Sequence, residues 1–316
     1  MTGDGEAARI RDAKFWLISP GARALRQPWY ACAERECGGR HKPTTLDSRT
    51  RLANTVFGDC RLCKNKNVAL LDSHVLPRWA YRRAITHDQS GEKRDPVWLK
   101  NGKAFLSSSE VKEHLLCEAC EQGLGKDEDY VARLAYRDDG RLGLLDLTSA
   151  ERLGGAGLYV MPAGVLDCQA IVRFAASVFW RAHESSRPEC ANLRLWNAQA
   201  EGLRLFVLGE AELPWRVCFT ACVLMDSSTG LSGGRSTCLF PETAKKGADG
   251  IHEFLVCGLL FRLYTGEHAA DIQGACLHCG KGRGILVSHP SQIKTIRKAV
   301  SNIRAATPKG KLGRIR

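Results

Sequence analysis

The residues best suited to chemistry lie in two short cysteine-containing turns. Cys60-Arg61-Leu62-Cys63 and Cys117-Glu118-Ala119-Cys120 both follow the pattern Cys-x-x-Cys. One such turn can present two sulfur atoms to a metal ion, and a tetrahedral zinc site takes four ligands, with thiolates at about 2.3 Å. The two turns therefore predict a zinc site formed by Cys60, Cys63, Cys117 and Cys120. The alternative is that these four are reduced cysteines of the core.

The residues around a histidine between the two turns indicate which kind of zinc domain the sequence resembles. It stands in Leu71-Asp72-Ser73-His74-Val75-Leu76-Pro77, and the second turn lies within Leu115-Leu116-Cys117-Glu118-Ala119-Cys120-Glu121. This Ser-His-hydrophobic-hydrophobic-Pro segment between paired Cys-x-x-Cys turns resembles the HNH endonucleases of the His-Me finger (ββα-metal) superfamily. The resemblance covers roughly residues 58–136, about a quarter of the chain.

The resemblance implies both a fold and an activity. The fold is a treble-clef-like zinc finger that carries a ββα-metal (HNH) unit, in which the zinc is structural and stabilises a region too small to hold itself together. The activity is cleavage of phosphodiester bonds in nucleic acid, with DNA favoured over RNA. Such enzymes use a second, catalytic divalent ion, here Mg²⁺ or Mn²⁺.

The resemblance also assigns roles to individual side chains. By motif position, His74 is the general base, because a histidine can take a proton from water near neutral pH. Glu121 is a candidate ligand of the catalytic metal, and Glu128, two helical turns further on, is a second. Ser73 departs from the family pattern, which has an acid or a histidine there, and Asp72 should point to the opposite face of the strand. The alternatives are that His74 is bonded inside the finger or binds zinc, and that Glu128 is a solvated helix residue.

Two other classes of function remain open at this point. The finger could bind nucleic acid without cleaving it, or it could be a protein-interaction zinc finger with an incidental basic tail. Metal-dependent nicking distinguishes a nuclease from a finger that only binds nucleic acid. Salt-dependent binding of nucleic acid distinguishes such a binding finger from a protein-interaction finger, because phosphate contacts weaken steeply with salt.

The charge of the chain is concentrated at its C-terminal end. The formal net charge is +12, and residues 272–316 contain ten Lys and Arg but no Asp or Glu. Such a segment attracts polyanions, nucleic acid first, although a solvated basic tail is the plainer alternative. The candidate phosphate-binding residues are Lys309, Lys311, Arg314 and Arg316.

Composition limits where this protein could act. The sequence shows no signal peptide and no apolar run long enough to cross a bilayer, so we expect a cytoplasmic protein without a membrane partner. Thiols stay reduced in that compartment, so clustered cysteines indicate metal ligands. The isolated ones are expected to be small buried residues: Cys168, Cys190, Cys218, Cys222, Cys238 and Cys257. The oligomeric state is left open.

Local patterns predict an α+β protein. A strand should end at His74, and a helix should follow over Pro77–Ile85. Asn101-Gly102 should form the turn of a hairpin, and Asp167 should cap a helix with an apolar stripe. Further elements are expected as a helix from near Cys120 to about Tyr136, a partly helical segment over 193–208, and strands over 217–225, 237–240 and 252–264.

These elements suggest a division of the chain. The finger should be followed by a second α+β domain of unknown role, and Cys276 with Cys279 could be half of another metal site. The predicted parts are a poorly ordered basic leader over 1–57, the finger over 58–137, a glycine-rich linker over 138–162, the second domain over 163–275 and a basic tail over 276–316.

Overall fold

The secondary structure mixes helices and strands throughout. The computed structural model describes residues 15–17, 55–87, 93–135, 142–146, 151–153, 158–160, 165–224, 237–247, 249–272, 275–278, 284–288 and 292–314. The helices are α1 Arg78–Ala84, α2 Glu118–Leu134, α3 Gly143–Asp146, α4 Cys168–Glu184, α5 Asn197–Leu208, α6 Glu267–Asp271 and α7 Lys294–Ala305. Short 3-10 turns cover Pro188–Cys190 and Gly310–Arg314.

The strands form three sheets. They are β1 Phe15–Leu17, β2 Val56–Gly58, β3 Val68–His74, β4 Thr86–His87, β5 Lys93–Arg94, β6 Val97–Lys100, β7 Lys103–Leu106, β8 Lys112–Cys117, β9 Glu151–Leu153, β10 Leu158–Val160, β11 Val217–Leu224, β12 Cys238–Lys245, β13 Ile251–Val256, β14 Leu259–Thr265, β15 Gly284–Ser288 and β16 Thr307–Pro308. The large sheet has the order β16-β7-β6-β1-β12-β13-β14-β11-β15-β10-β9, and two small sheets have the orders β2-β3-β8 and β4-β5.

The small sheet with β3 and β8 carries the two cysteine turns. The predicted strand is confirmed, because β3 ends at His74, and it pairs antiparallel with β8, which leads directly into α2. Pro77 is extended and α1 begins at the next residue, which confirms the predicted helix. The helix predicted from near Cys120 is also confirmed, although α2 begins at Glu118 and ends at Leu134.

The Asn-Gly hairpin is confirmed, but it does not belong to the small sheet. Asn101 and Gly102 both have positive φ angles, 53° and 68°, as a two-residue hairpin turn requires. The strands on either side, β6 and β7, pair with each other and join the large sheet through β1. The segment between the two cysteine turns therefore leaves the small sheet, contributes to the large one and returns.

Alternate residues of the central strands pack into two separate cores. In β11, Phe219 and Val223 belong to the core that contains α4, whereas Cys222 and Leu224 belong to the core that contains α7. The predicted stripe of α4 is confirmed: all five of its residues are buried, namely Ile171, Phe174, Ala175, Val178 and Phe179. The Asp167 cap is also confirmed, since its Oδ1 accepts a hydrogen bond of 2.9 Å from the N–H of Ala170.

One strand prediction is wrong. Residues 252–264 form a hairpin of β13 and β14 rather than a single strand. Cys257 and Gly258 have φ angles of 45° and 83°, so the chain reverses at the glycine. The other predictions in this half hold, with α5, β11 and a longer β12 at the expected places.

One continuous hydrophobic core contains residues from both sides of the predicted boundary between the finger and the second domain. Cys60, Leu62 and Leu76 of the finger lie in the same hydrophobic cluster as Phe174 and Trp180 of α4. In the leader, residues 15–17 form β1 within the large sheet; the rest of 1–50 lies outside the described residues, as does most of the predicted linker. In the tail, α7 and β16 are ordered elements against the large sheet. The division into domains stays a prediction.

A search of the described residues for a membrane-crossing helix finds none of sufficient length and apolar character.

The core of the large sheet generates a prediction about acid stability. His252 of β13 is 2% exposed, and burial lowers its pKa from 6.5 to about 4. Between these two values the unfolded chain binds a proton that the folded chain does not. The free energy of unfolding should therefore fall as the pH drops from about 6.5 to about 4, by up to about 3 kcal/mol. His252→Gln should lose this part of the pH dependence in urea denaturation.

The control is His114→Gln, which replaces an exposed histidine of β8 and should keep the wild-type dependence on pH. Equal pH dependence in the two variants would contradict burial of His252 as the cause.

Candidate metal centre and histidine site

The four predicted sulfur atoms come together at the base of the small sheet. All four Sγ atoms lie within 4.8 Å of one another. The Sγ atoms of Cys60 and Cys120 are 3.7 Å apart, and those of Cys63 and Cys117 are 3.8 Å apart. Four sulfurs at about 2.3 Å from a central zinc ion would be separated by about 3.8 Å. The cluster could therefore hold a metal ion such as zinc.

Backbone hydrogen bonds shape the two turns. In the first, the N–H of Lys64 donates to the carbonyl of Cys60 at 2.9 Å, and Lys64 has a φ of 62°. The N–H of Arg61 donates to the carbonyl of Leu115 at 2.9 Å, which ties this turn to β8. The second turn opens α2, so its sulfurs lie at a helix N-terminus, where the helix dipole favours negative charge.

The electrostatics of the cluster favour a bound cation. Burial acts to raise the pKa of Cys60, but N–H groups of Cys117 and Cys63 point at its sulfur and lower the pKa to about 7. Burial raises the pKa of Cys120, and the neighbouring sulfurs of Cys117 and Cys60 raise it further. Like charges this close disfavour one another. The four groups can all ionise together only when a cation balances them.

The remaining cysteines behave largely as predicted. Five of the six isolated ones are buried and Cys168 is half-buried. Cys279 lies outside the described residues, so the half-site with Cys276 stays a prediction. Cys276 Sγ lies 3.3 Å from Nδ1 of His278, whose Nε2 is 3.1 Å from the carbonyl of Val217. Among the described residues, the four-cysteine cluster is the one group of three or more His, Cys, Asp or Glu side chains close enough to share an ion.

His74 forms a hydrogen bond with a carboxylate that the sequence analysis did not single out. Its Nε2 lies 3.0 Å from Oε2 of Glu110. Burial opposes ionisation of Glu110, but hydrogen bonds from His74 and Lys112 outweigh it and hold the pKa of Glu110 below its ordinary value. An ionised carboxylate only accepts, so Nε2 carries the proton and Nδ1 of a neutral ring keeps its lone pair. His74 Nδ1 has no hydrogen-bond partner within the part of the chain that the structure describes.

The residues before His74 are arranged as strand alternation predicts. Ser73 is buried, 1% exposed, and its Oγ donates to the carbonyl of Leu71 at 3.4 Å. Asp72 is exposed, and its Oδ2 lies 3.8 Å from Nζ of Lys112. Neither side chain takes the place of the acid that the family pattern has beside its histidine.

The two candidate metal ligands on α2 differ in their surroundings. Oε1 of Glu121 is buried and has no hydrogen-bond partner among the described residues. Oε1 of Glu128 accepts a hydrogen bond of 2.6 Å from Nη2 of Arg181. Glu121 therefore has an oxygen available to a cation, whereas one oxygen of Glu128 is already bound to a guanidinium.

Arg181 of α4 joins His74 and Glu128. Its side chain is 1% exposed, and its Nη1 donates to the carbonyl of His74 at 2.7 Å. The guanidinium therefore fixes the end of β3 relative to α2. Two more arginines make similar contacts: Arg173 of α4 donates twice to Asp127 of α2, and Arg204 of α5 donates to the carbonyl of Leu62 in the first cysteine turn.

Sequence reasoning missed Glu110 and Arg181 for the same reason. Each lies far along the chain from His74, at 36 and 107 positions, and neither belongs to a local motif. The sequence does contain one signal for Glu110. A strand that pairs antiparallel with β3 and ends at the second cysteine turn must have its first residues opposite His74, at the end of β3. Lys112 pairs with His74, and Glu110 lies two residues before it.

The predicted phosphate-binding residues are not near the cysteine cluster. Lys309 and Lys311 are exposed, and the N–H of Lys309 donates to the carbonyl of Ala104 in β7 at 2.8 Å. Arg314 ends the last 3-10 turn, and Arg316 lies outside the described residues. The preceding helix, α7, packs in the core on the opposite face of the large sheet from α4. The helix α7 is thus separated by the sheet from α4 and from the core that the finger shares with it.

Comparisons with protein-family models, with curated proteins and with solved structures gave no match to this chain.

The sulfur geometry generates a prediction about metal content. We expect about one equivalent of zinc to copurify with the protein, because four sulfurs at this spacing match a structural site. Cys63→Ser and Cys117→Ser should each lose the zinc and unfold the finger, since metal-binding free energy is folding free energy in such a site. Elemental analysis and circular dichroism measure the two effects.

Cys168→Ser is the matched control, because Cys168 is half-buried but outside the cluster, and it should keep the metal. Folded wild-type protein without stoichiometric metal would contradict the site.

Proposed function

We propose that this protein is a zinc-stabilised HNH-type endonuclease that cleaves phosphodiester bonds of nucleic acid, with DNA as the favoured substrate. One observation carries the proposal: His74 ends the strand that pairs with β8, and β8 leads directly into the cysteine cluster and α2. Two strands, a helix and a strand-end histidine are the parts of a ββα-metal unit. In this proposal the zinc is structural and the protein acts in the cytoplasm.

The environment of His74 supports a role as general base. The ionised Glu110 accepts the Nε2 proton, which orients the ring and leaves Nδ1 to take a proton from a water molecule. This is the arrangement in which a carboxylate fixes the tautomer of a catalytic histidine. The ring of half-buried His74 also packs against the ring of Tyr81, with 5.7 Å between the two ring centroids.

A substrate can approach Glu110 from an open cavity. The cavity has a volume of about 240 Å³, and its lining includes the carboxylates of Glu110 and Glu189 together with Trp98, Phe105, Lys100 and Arg187. Lys100 lies 3.6 Å from Glu189, so the two cations are balanced by two carboxylates. The aromatic rings are the part of the lining that supports nucleic acid as the substrate, because bases stack on such rings.

Glu121 is the side chain best placed to hold a catalytic metal. Its buried oxygen has no partner in the described structure, and carboxylate oxygens are preferred ligands of Mg²⁺. A bound Mg²⁺ or Mn²⁺ would stabilise the charge that develops on the phosphate and the leaving oxygen. Glu128 lies about 10.5 Å further along α2 and has one oxygen bound to Arg181, so it is the weaker of the two candidate ligands.

A second candidate function rests on the same contacts. Ser73 is a weak metal ligand, and one oxygen of Glu128 is bound to Arg181. These observations favour a zinc finger that binds nucleic acid without cleaving it, with His74 and Glu110 as a structural pair.

The proposal predicts that His74 is needed for cleavage. His74→Ala should lower the rate of Mg²⁺- or Mn²⁺-dependent nicking of supercoiled plasmid by on the order of 10²–10⁴, because a general base contributes that much. Zinc content and the circular dichroism spectrum should be unchanged, because the cysteines supply all four zinc ligands.

His114→Ala is the control for this test, since His114 is exposed on the neighbouring strand, opposite Asp72. If wild type, His74→Ala and His114→Ala are equally inactive on duplex DNA, single strands and RNA with either metal, the active-site proposal is wrong and the finger is a binding or structural element.

The proposed metal role of Glu121 predicts a different response. Glu121→Ala should reduce nicking, and higher Mg²⁺ should partly restore it, because the lost free energy is metal affinity. Titration of the nicking rate against Mg²⁺ measures the shift.

Glu118→Ala is the matched variant, from the same first turn of α2, where Glu118 is exposed and bonded to Gln122. A loss in Glu121→Ala that Mg²⁺ does not restore would mean that Glu121 holds the fold and not the metal.

A further inference from the structure

The C-terminal basic segment contains a rigid helix. The apolar side of α7 is fixed in the second core, where Ile296 and Ala299 join Leu239, Leu255 and Leu260 of the large sheet. The residues that follow α7 are also fixed to the large sheet, because β16 pairs in parallel with β7. The charges of α7 are therefore presented from a defined surface.

The outward side of α7 is basic. Lys294, Arg297 and Arg304 are exposed, Lys298 is half-buried near Glu242, and the helix contains no acidic residue. Positions separated by three or four residues share one side of a helix, so the four cations form a stripe. The stripe spans about 15 Å at a rise of about 1.5 Å per residue.

The stripe continues into the residues after the helix. Lys309 and Lys311 are both exposed. We call the six exposed or half-buried cations of α7 and its continuation the basic face: Lys294, Arg297, Lys298, Arg304, Lys309 and Lys311.

The basic face and the His74 site lie on opposite sides of the large sheet. The finger shares its core with α4, and α7 closes the other face of the strands. The cations of α7 therefore do not line the surface around His74. The basic face is thus a separate surface and not an extension of the histidine site.

We propose that the basic face is a second, non-catalytic surface that binds the phosphate backbone of nucleic acid independently of sequence. A row of cations held on a rigid helix can follow the regularly spaced phosphates of a duplex, and it makes no base-edge contact that would specify sequence. This inference goes beyond the proposed nuclease, because it holds whether or not His74 cleaves the substrate.

An anionic lipid surface is the competing partner, and the structure argues against it. A helix that binds in a membrane interface inserts an apolar side between the lipids. The apolar side of α7 is already packed in the core, and among its outward residues Val300, 39% exposed, is the large apolar one. Apart from Val300, the exposed side offers charge without a large apolar side chain, which suits a polyanion.

The experiment compares two variants of the full-length protein with equal loss of charge. One is Lys294→Gln/Arg297→Gln/Arg304→Gln in the basic face. The other is Lys126→Gln/Arg194→Gln/Arg216→Gln, which removes three exposed cations dispersed over other elements. The affinity for a short fluorescent duplex of arbitrary sequence is measured by anisotropy as a function of salt.

The basic-face variant should bind more weakly, and the slope of log K against log salt should become less steep by up to about 2.7, from three phosphate contacts at about 0.9 each. The dispersed variant should keep the wild-type slope. Equal slopes in the two variants would overturn the proposal, as would an undiminished affinity for DNA combined with lost binding to vesicles of phosphatidylcholine and phosphatidylserine.

His74→Ala separates this inference from the proposed nuclease. It should keep the wild-type salt slope even where nicking is lost. If the wild type nicks DNA and the basic-face variant keeps the wild-type salt slope, this inference is wrong and the nuclease proposal stands. If the variant has a less steep slope and the wild type does not nick, the nuclease proposal is wrong and this inference stands.

Discussion

The structure depends on a positive charge held inside it. Arg181 is almost fully buried, and a guanidinium keeps its proton in proteins, so the surrounding groups must satisfy it. Glu128 supplies the opposite charge, and the carbonyls of His74 and Ser177 accept its other hydrogen bonds. Because a buried charge without partners is strongly destabilising, these contacts fix the end of β3, the middle of α2 and the last turn of α4 relative to one another. The position of the histidine follows from that arrangement.

The cysteine cluster and the arginine contacts stabilise different parts of the same unit. The small sheet has too few strands to form a core of its own, and the cluster closes only the turns at its base. Arg204 contacts the carbonyl of Leu62 inside the first turn, and Arg173 pairs with Asp127 further along α2. Helices from the second half thus bind both ends of the finger. Residues 163–275, to which the sequence assigned no role, thus contact both the strand end that carries His74 and the first turn of the cysteine cluster.

Features with local causes could be predicted from the sequence, and features with distant causes could not. The Asn101-Gly102 turn, the Asp167 cap and the Cys-x-x-Cys spacing each depend on a few adjacent residues, and the structure agrees with all three. The hairpin of β13 and β14 was mistaken for one strand because both of its strands are buried on two faces, so no alternation marked the turn. Glu110 and Arg181 reach His74 only through the pairing of β3 with β8 and the packing of α4. No local pattern indicates that the hairpin of β6 and β7, which lies between the two cysteine turns, belongs to the large sheet.

The placement of β6 and β7 has a consequence for synthesis on the ribosome. These strands connect to β12 only through the short β1, and β16 pairs with the free edge of β7 near the end of the chain. Leu99 and Ala104 are covered by α7 and by strands of the second half. During translation the hairpin emerges long before α7 and β16. Until these two elements have been made, β7 has an open edge and the hairpin an uncovered apolar face, which are the features that promote wrong pairing and aggregation.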